Sequence, residues 1–243
     1  MAKKIFFTSS KGGAGATTVA AGTAFALSDS GERTLIVDGD NLSACALNVC
    51  GCGGMQVFTA EDYKNGICRA KQTVVQHPKY KNLYIMPTLN CSDEKAVLSA
   101  VSEVAGLFDF VLCDNAARAA CGQAVIVTEP YTPSVKAADA KIAALRDGGM
   151  HIGGVIINKA NGGLILSGKT GYPEDIARML NAPLLAAVPE DLDLTLGQWR
   201  AYSMRYFKII AARLKGKNVK LPHIEAGYTG AGGYFRRRLR EKV

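Results

Sequence analysis

Ser9-Ser10-Lys11-Gly12-Gly13-Ala14-Gly15-Ala16-Thr17-Thr18 separates an apolar, β-prone stretch, Ile5-Phe6-Phe7-Thr8, from a helix-like one, Val19 to Leu27. Closely spaced glycines let several backbone N–H groups turn inward onto one anion, and the helix that follows points its positive end at it. The strand–glycine loop–helix context is what a phosphate-binding loop requires. Thr17 or Thr18 offers a hydroxyl to a phosphate-bound Mg²⁺. The general pattern places lysine directly before that hydroxyl residue, and here the position is Ala16. The cradle is present without its local cation.

Outward from the loop, short apolar runs recur between helical stretches: Lys4–Ser9, Thr34–Asp38, Leu83–Met86, Phe110–Asp114, Ala124–Thr128, Ile152–Asn158 and Leu184–Val188. Most are continuous rather than alternating, as in strands covered on both faces. Helix starts lie between them. Ser92-Asp93-Glu94 caps Lys95–Ala105, Thr132-Pro133 opens Ser134–Arg146, and Pro173 opens Glu174–Leu180. A final helix is expected over Gly197–Leu214. The order predicts an α/β, doubly wound, mostly parallel sheet of about seven strands with helices on both faces. Its ligands sit beyond the carboxyl ends of the strands. Residues 1–226 read as one nucleotide-binding domain, and 227–243 as a glycine-rich linker with a basic tail.

Further candidate residues fall at those strand ends. Val37-Asp38-Gly39-Asp40 sets two carboxylates where they could hold a cation or orient a water. Phe110-Val111-Leu112-Cys113-Asp114 is an apolar strand ending in an acid, the Walker B pattern, from which Asp114 reaches Mg²⁺ through water. Asn158-Lys159-Ala160-Asn161 lacks the aspartate that a guanine-reading motif needs at position 161, whereas Asn158 can pair with adenine through its amide or cap the strand end.

The loop resembles the deviant Walker A motif, KGGxGKT, of the MinD/ParA family of ATPases that dimerise around nucleotide. The resemblance runs over nearly the whole chain and lies nearer the MinD branch through Gly66–Gln72, Asn82–Pro87 and Thr128–Asp139. It implies ATP and Mg²⁺ as cofactors, cradled by Gly12, Gly13, Ala14, Gly15, Ala16, Thr17 and Thr18. Asn158 and Pro189, the latter in Val188-Pro189-Glu190-Asp191, lie against adenine. Lys11 matches the lysine that reaches across the dimer to the partner's nucleotide. Thr17, Asp38 and Asp114 match the Mg²⁺ site, and Asp40 the residue that positions the attacking water. Two positions depart from the family. Ala16 replaces the lysine that grips the β- and γ-phosphates. After Asp114 the sequence Asn115-Ala116-Ala117-Arg118-Ala119-Ala120-Cys121 lacks the switch II glycine, and Thr128 follows after only 14 positions, which leaves no room for the family's next helix. Losing a phosphate-gripping charge costs on the order of 3 kcal/mol of transition-state stabilisation, so ATP hydrolysis is expected to be weak or lost.

The net charge of +8 is concentrated in the tail, where Tyr234 to Val243 carries five basic residues and one acidic. Phe235, Leu239 and Val243 form one stripe if the tail is helical, with Arg236, Arg237, Arg238, Arg240 and Lys242 around it, the pattern of an interfacial helix on an anionic membrane. The basic residues contribute about 1 kcal/mol each near such a surface. One tail binds marginally and two on a dimer bind better. With no recognition motif beside the charge, nucleic acid is not the expected partner. The expected partners are a second copy, bound in a nucleotide-dependent way, the inner membrane surface and a regulatory protein.

No apolar run reaches the ~18 residues of a membrane span, and the start lacks a signal-peptide pattern, so a cytoplasmic location at the inner membrane face is expected. Seven cysteines argue against a disulfide framework. Cys45, Cys50 and Cys52 could bind a metal but lack a fourth ligand. The leading reading is a MinD-like ATP-binding protein of division-site selection or a related localisation system. Two alternatives remain. One is a non-enzymatic scaffold, similar to the MinD-like proteins of pilus assembly. The other is an iron–sulfur carrier resembling nitrogenase iron protein, with Cys91 and Cys121 nearest the required places.

Overall fold

A computed structural model describes residues 1–9, 11–40, 42, 45–195 and 197–229, with Thr195 described through its backbone. Ser10 and the tail residues Phe235, Arg236, Arg237, Arg238, Leu239, Arg240, Lys242 and Val243 lie outside the described residues.

The strands are β1 (Lys3–Ser9), β2 (Thr34–Asp38), β3 (Val75–Gln76), β4 (Leu83–Pro87), β5 (Phe110–Asp114), β6 (Gln123–Thr128), β7 (His151–Ala160) and β8 (Leu184–Pro189). They form one sheet in the order β3-β4-β2-β5-β1-β6-β7-β8, parallel except for β3. Eight strands replace the expected seven or so. The extra one, β3, is a two-residue antiparallel edge, too short to carry a sequence period. The helices are α1 (Ala16–Asp29), α2 (Cys45–Val49), α3 (Ala60–Lys64), α4 (Glu94–Val104), α5 (Thr132–Asp147), α6 (Gly162–Leu166), α7 (Pro173–Met179), α8 (Leu192–Thr195) and α9 (Ala201–Leu214).

Every residue of β2 and β5 is buried, as continuous apolar runs require. Right-handed crossovers carry α1 to one face of the sheet and α5 and α7 to the other, and α9 packs on α1 and β8. The expected helix starts hold: Asp93 caps α4 by accepting from the N–H groups of Lys95 and Ala96 at 3.0 and 3.3 Å, and Pro sits in the first turn of α5 and α7. The final helix begins at Ala201, not Gly197. Gly197 is left-handed at φ 72°, and Gln198 N–H bonds back to Asp193 O at 2.7 Å.

The boundary at 226 also moves. Ile224–Tyr228 forms a 3-10 turn that docks on α6 and β8, so Gly227 and Tyr228 belong to the folded body rather than to a linker. Between β5 and β6 only the 3-10 turn Arg118–Ala120 remains where the resemblance leads one to look for a helix. Among the described residues no helix is long and apolar enough to cross a membrane.

An aromatic cluster ties the covering layer together. Phe25 of α1 meets His77, Tyr80 and Trp199 at centroid distances of 5.5, 4.8 and 5.0 Å. Trp199 donates its indole N–H to Val49 O at 3.2 Å. Phe207 of α9 lies over Gly22 of α1. A Cβ on Gly22 would stand 2.7 Å from three carbons of the Phe207 ring. Gly22→Ala is therefore expected to lose about 1–3 kcal/mol of stability through overpacking, although alanine is the better helix former by roughly 1 kcal/mol. Urea unfolding measures this, and pairing the change with Phe207→Leu is expected to recover part of the loss.

Candidate functional site

The glycine loop leaves β1 and turns into α1 at the carboxyl ends of the strands. Gly13 and Gly15 adopt left-handed φ values of 81° and 90°, which cost a residue bearing a Cβ more than they cost glycine. Gly15 is excluded from substitution twice over, because a Cβ there would stand 2.4 Å from Asn158 Nδ2. Gly15 caps α1 without any side-chain hydrogen bond. The first N–H groups of α1 have no intrahelical partner and receive no side-chain cap from Gly15, so this end of the helix suits an anion. Ala16 is buried at 5% exposure, and its methyl offers no charge.

Two residues at the end of β7 hold the loop open. Asn158 donates its amide N–H to Ala14 O at 2.8 Å. Lys159, itself left-handed at φ 54°, donates its ammonium to Gly13 O at 2.6 Å and pairs with Glu129 at 2.7 Å. β7 runs two residues past the expected end at Asn158, to Ala160. Asn158 is thus a clamp inside the strand rather than a cap at its end, and it still lines the cavity.

That cavity measures about 1070 Å³, at the upper limit of the roughly 300–1,000 Å³ typical of small-ligand sites. Gly13, Gly15 and Thr18 form its loop side, and Asn158, Pro189 and Tyr228 are among the residues around the rest. The two threonines divide their work. Thr18 lines the cavity, whereas Thr17 stands beside the Asp114 carboxyl and the Cys45 thiol. Lys11 and Gly12 are exposed.

Asp38 and Asp114 occupy paired positions at the ends of adjacent strands, Asp38 at 0% and Asp114 at 3% exposure. Asp38 accepts from the N–H groups of Asp40 and Leu47 at 3.1 and 3.2 Å. Asp114 accepts from Asn115 Nδ2 at 3.1 Å. Asp40 accepts from Leu42 N–H at 3.0 Å. Burial raises the Asp38 carboxyl above its ordinary range. Burial, reinforced by Asp38 and Asp40 and opposed by the nearby Thr17 hydroxyl, pushes Asp114 up to about 6. A hydroxyl and three carboxylates suit a hard divalent cation such as Mg²⁺. Among the described residues, however, no three His, Cys, Asp or Glu side chains converge closely enough to hold a metal ion by themselves.

The cysteines divide differently. Cys50 and Cys52 are buried, and burial pushes both thiols up, away from the ligating thiolate. Cys91 follows the carboxyl end of β4, while Cys121 precedes the amino end of β6 and donates its Sγ–H to Ala117 O at 3.7 Å. Cys91 and Cys121 lie at opposite ends of a parallel sheet, so they offer no common surface for a bridging cluster. Cys45, beside Thr17 and the three carboxylates, was visible in sequence only as one of a glycine-flanked cysteine trio. Lys159, Glu129, Lys169 and Tyr228 are site residues that the sequence did not single out. The lysine of Asn158-Lys159 was the one available signal.

The family described as the CobQ/CobB/MinD/ParA nucleotide binding domain matches residues 5–197. The septum site-determining protein MinD of Thermotoga maritima is 27% identical over 253 residues, covering 91% of this chain and 91% of its own. A chain of the MinC:MinD cell division protein complex of Aquifex aeolicus has a TM-score of 0.83 at 24% identity, covering 91% of this chain and 99% of its own. The septum site-determining protein MinD of Pyrococcus horikoshii, solved complexed with Mg-ADP, has a TM-score of 0.77 at 25% identity, covering 88% and 96%.

The Asp114 shift gives a signed pH dependence. Unfolded, this carboxyl titrates near 3.8; folded, near 6. Between those values the unfolded chain ionises while the folded one keeps its proton, so stability falls as pH rises through the window. Above about 6 the full loss, about 3 kcal/mol, is present. Asp114→Asn is expected to raise the ligand-free Tm at pH 7 and to flatten its decline between pH 4 and 7, as measured by thermal melts.

Proposed function

Because the chain belongs to the CobQ/CobB/MinD/ParA nucleotide-binding family, we propose that it is a MinD-like ATP-binding protein of division-site selection or a related localisation system, with hydrolysis weak or lost. The single observation that carries this reading is the open glycine loop, clamped by Asn158 and Lys159, with a buried alanine where a phosphate-gripping lysine belongs.

On this reading the first N–H groups of α1 bind the phosphates, and Thr18 and Asn158 face the nucleoside part of the cavity. Pro189 supplies an apolar edge for adenine. Thr17, Asp38 and Asp114 would hold Mg²⁺, which supplies counter-charge to the phosphates. Asp40 orients the attacking water, and Lys11, exposed on the loop, is available to a second copy's nucleotide. Positioning survives the loss of the lysine because oriented amides bind anions without a formal charge. The chemical step suffers, since an ammonium counts most where charge builds in the transition state. The Mg-ADP held by the Pyrococcus horikoshii relative supports the cofactor assignment, and the MinC:MinD complex supports a regulatory protein partner.

Residues 1–228 form the nucleotide-binding body, and the segment through Val243 is the membrane-facing tail. A second reading, a scaffold indifferent to ATP, is favoured by the β5–β6 connection, which lacks a helix to report the γ-phosphate.

ATP turnover of the natural chain is expected to be at least about a hundredfold below that of Ala16→Lys. Robust turnover by the natural chain overturns the reading. Calorimetry with Mg·ATP, coupled to mass measurement, separates the two classes, because the scaffold predicts no binding and no nucleotide-dependent dimer. In flotation assays, the full chain with ATP is expected to bind anionic vesicles and not zwitterionic ones, and removal of residues 230–243 is expected to abolish binding.

A further inference from the structure

A nucleotide's phosphate chain is a polyanion, yet the acidic residues around this site are many. Glu190 and Asp191 line the cavity, and Asp38, Asp40 and Asp114 stand at the strand ends. The loop itself contributes no cation to the cavity wall. Of the described residues that line it, two are basic, Lys159 and Lys169. Lys159 is already committed, to Gly13 O and to Glu129.

Lys169 is different. It follows Gly168, left-handed at φ 70°, in the turn that leaves α6. Its backbone is fixed, because the N–H groups of Lys169 and Thr170 both bond to Leu164 O, at 2.9 and 3.3 Å. Its side chain is exposed, lines the cavity, and forms no ion pair among the described residues. A fixed backbone with an uncommitted ammonium at a ligand cavity is poised for a ligand anion.

We propose that Lys169 supplies the phosphate-gripping cation that the glycine loop lacks, reaching the ligand's phosphate chain from the segment after β7. This deepens the nucleotide-binding reading and rests on it. A cation on an exposed turn is more screened than one embedded in the loop, so phosphate recognition here falls more steeply with salt than it does with lysine restored at position 16.

The test is calorimetric titration of the full chain with adenosine, AMP and ADP in the presence of Mg²⁺, for the natural chain, Lys169→Ala, Lys169→Arg and Ala16→Lys/Lys169→Ala. Circular dichroism melts establish that each variant is folded. Lys169→Ala is expected to weaken ADP about tenfold or more and to leave adenosine unchanged. Lys169→Arg is expected to stay within about threefold, and the double variant to recover ADP binding. ADP affinity in Lys169→Ala within about twofold of the natural chain overturns the proposal, as does a parallel loss of adenosine. If the natural chain binds adenosine and ADP equally, no cation grips phosphate, and the proposal fails while the nucleoside cavity stands. If it binds none of the three, the nucleotide-binding reading fails and takes the proposal with it.

Discussion

The site depends on two bonds from the end of β7 to the loop between β1 and α1. The Asn158 amide and the Lys159 ammonium hold successive carbonyls, those of Ala14 and Gly13. Fastening these carbonyls on one side of the loop leaves the N–H groups beyond them free to turn to the other. Glycine at 15 is then demanded by contact with Asn158 as well as by φ. Both clamping residues come from a strand two places along the sheet, so the loop's shape is a property of the assembled sheet rather than of the local sequence.

The same sheet sets the electrostatics. Parallel register brings Asp38 and Asp114 side by side, and the covering helices deny them water. Backbone N–H groups meet part of the cost for Asp38, and Thr17 and Asn115 part of it for Asp114. What remains is a site short of positive charge, which an incoming cation relieves. In this chain the shortage is larger, because position 16 brings a methyl group.

Much of this was readable in the sequence, for identifiable reasons. β1, β2 and β5 are covered on both faces and therefore appear as unbroken apolar runs, and the motif acids sit at the ends of β2 and β5. Asp93, Pro133 and Pro173 announce helix starts through local chemistry. β3 and the four- and five-residue helices α2, α3, α6 and α8 are shorter than any period that could reveal them. Lys159 could not be assigned to the loop because its partner Gly13 lies 146 residues away. Tyr228, in a glycine-rich stretch, read as linker because nothing local shows that it packs on Gly162.

The passage from β5 to β6 has a mechanical consequence. Eight residues, 115 to 122, cross from one end of the sheet to the other. Asn115 N–H is pinned to Phe7 O at 3.0 Å and Gly122 N–H to Lys4 O at 3.3 Å. Fully stretched, eight residues span about 26–29 Å, and part of that length is taken up in the Arg118–Ala120 turn. A strap so short and anchored at both ends has little slack with which to swing toward or away from a bound phosphate. Any difference between loaded and empty forms must therefore be expressed elsewhere, in the segments after β7 and β8 that line the cavity.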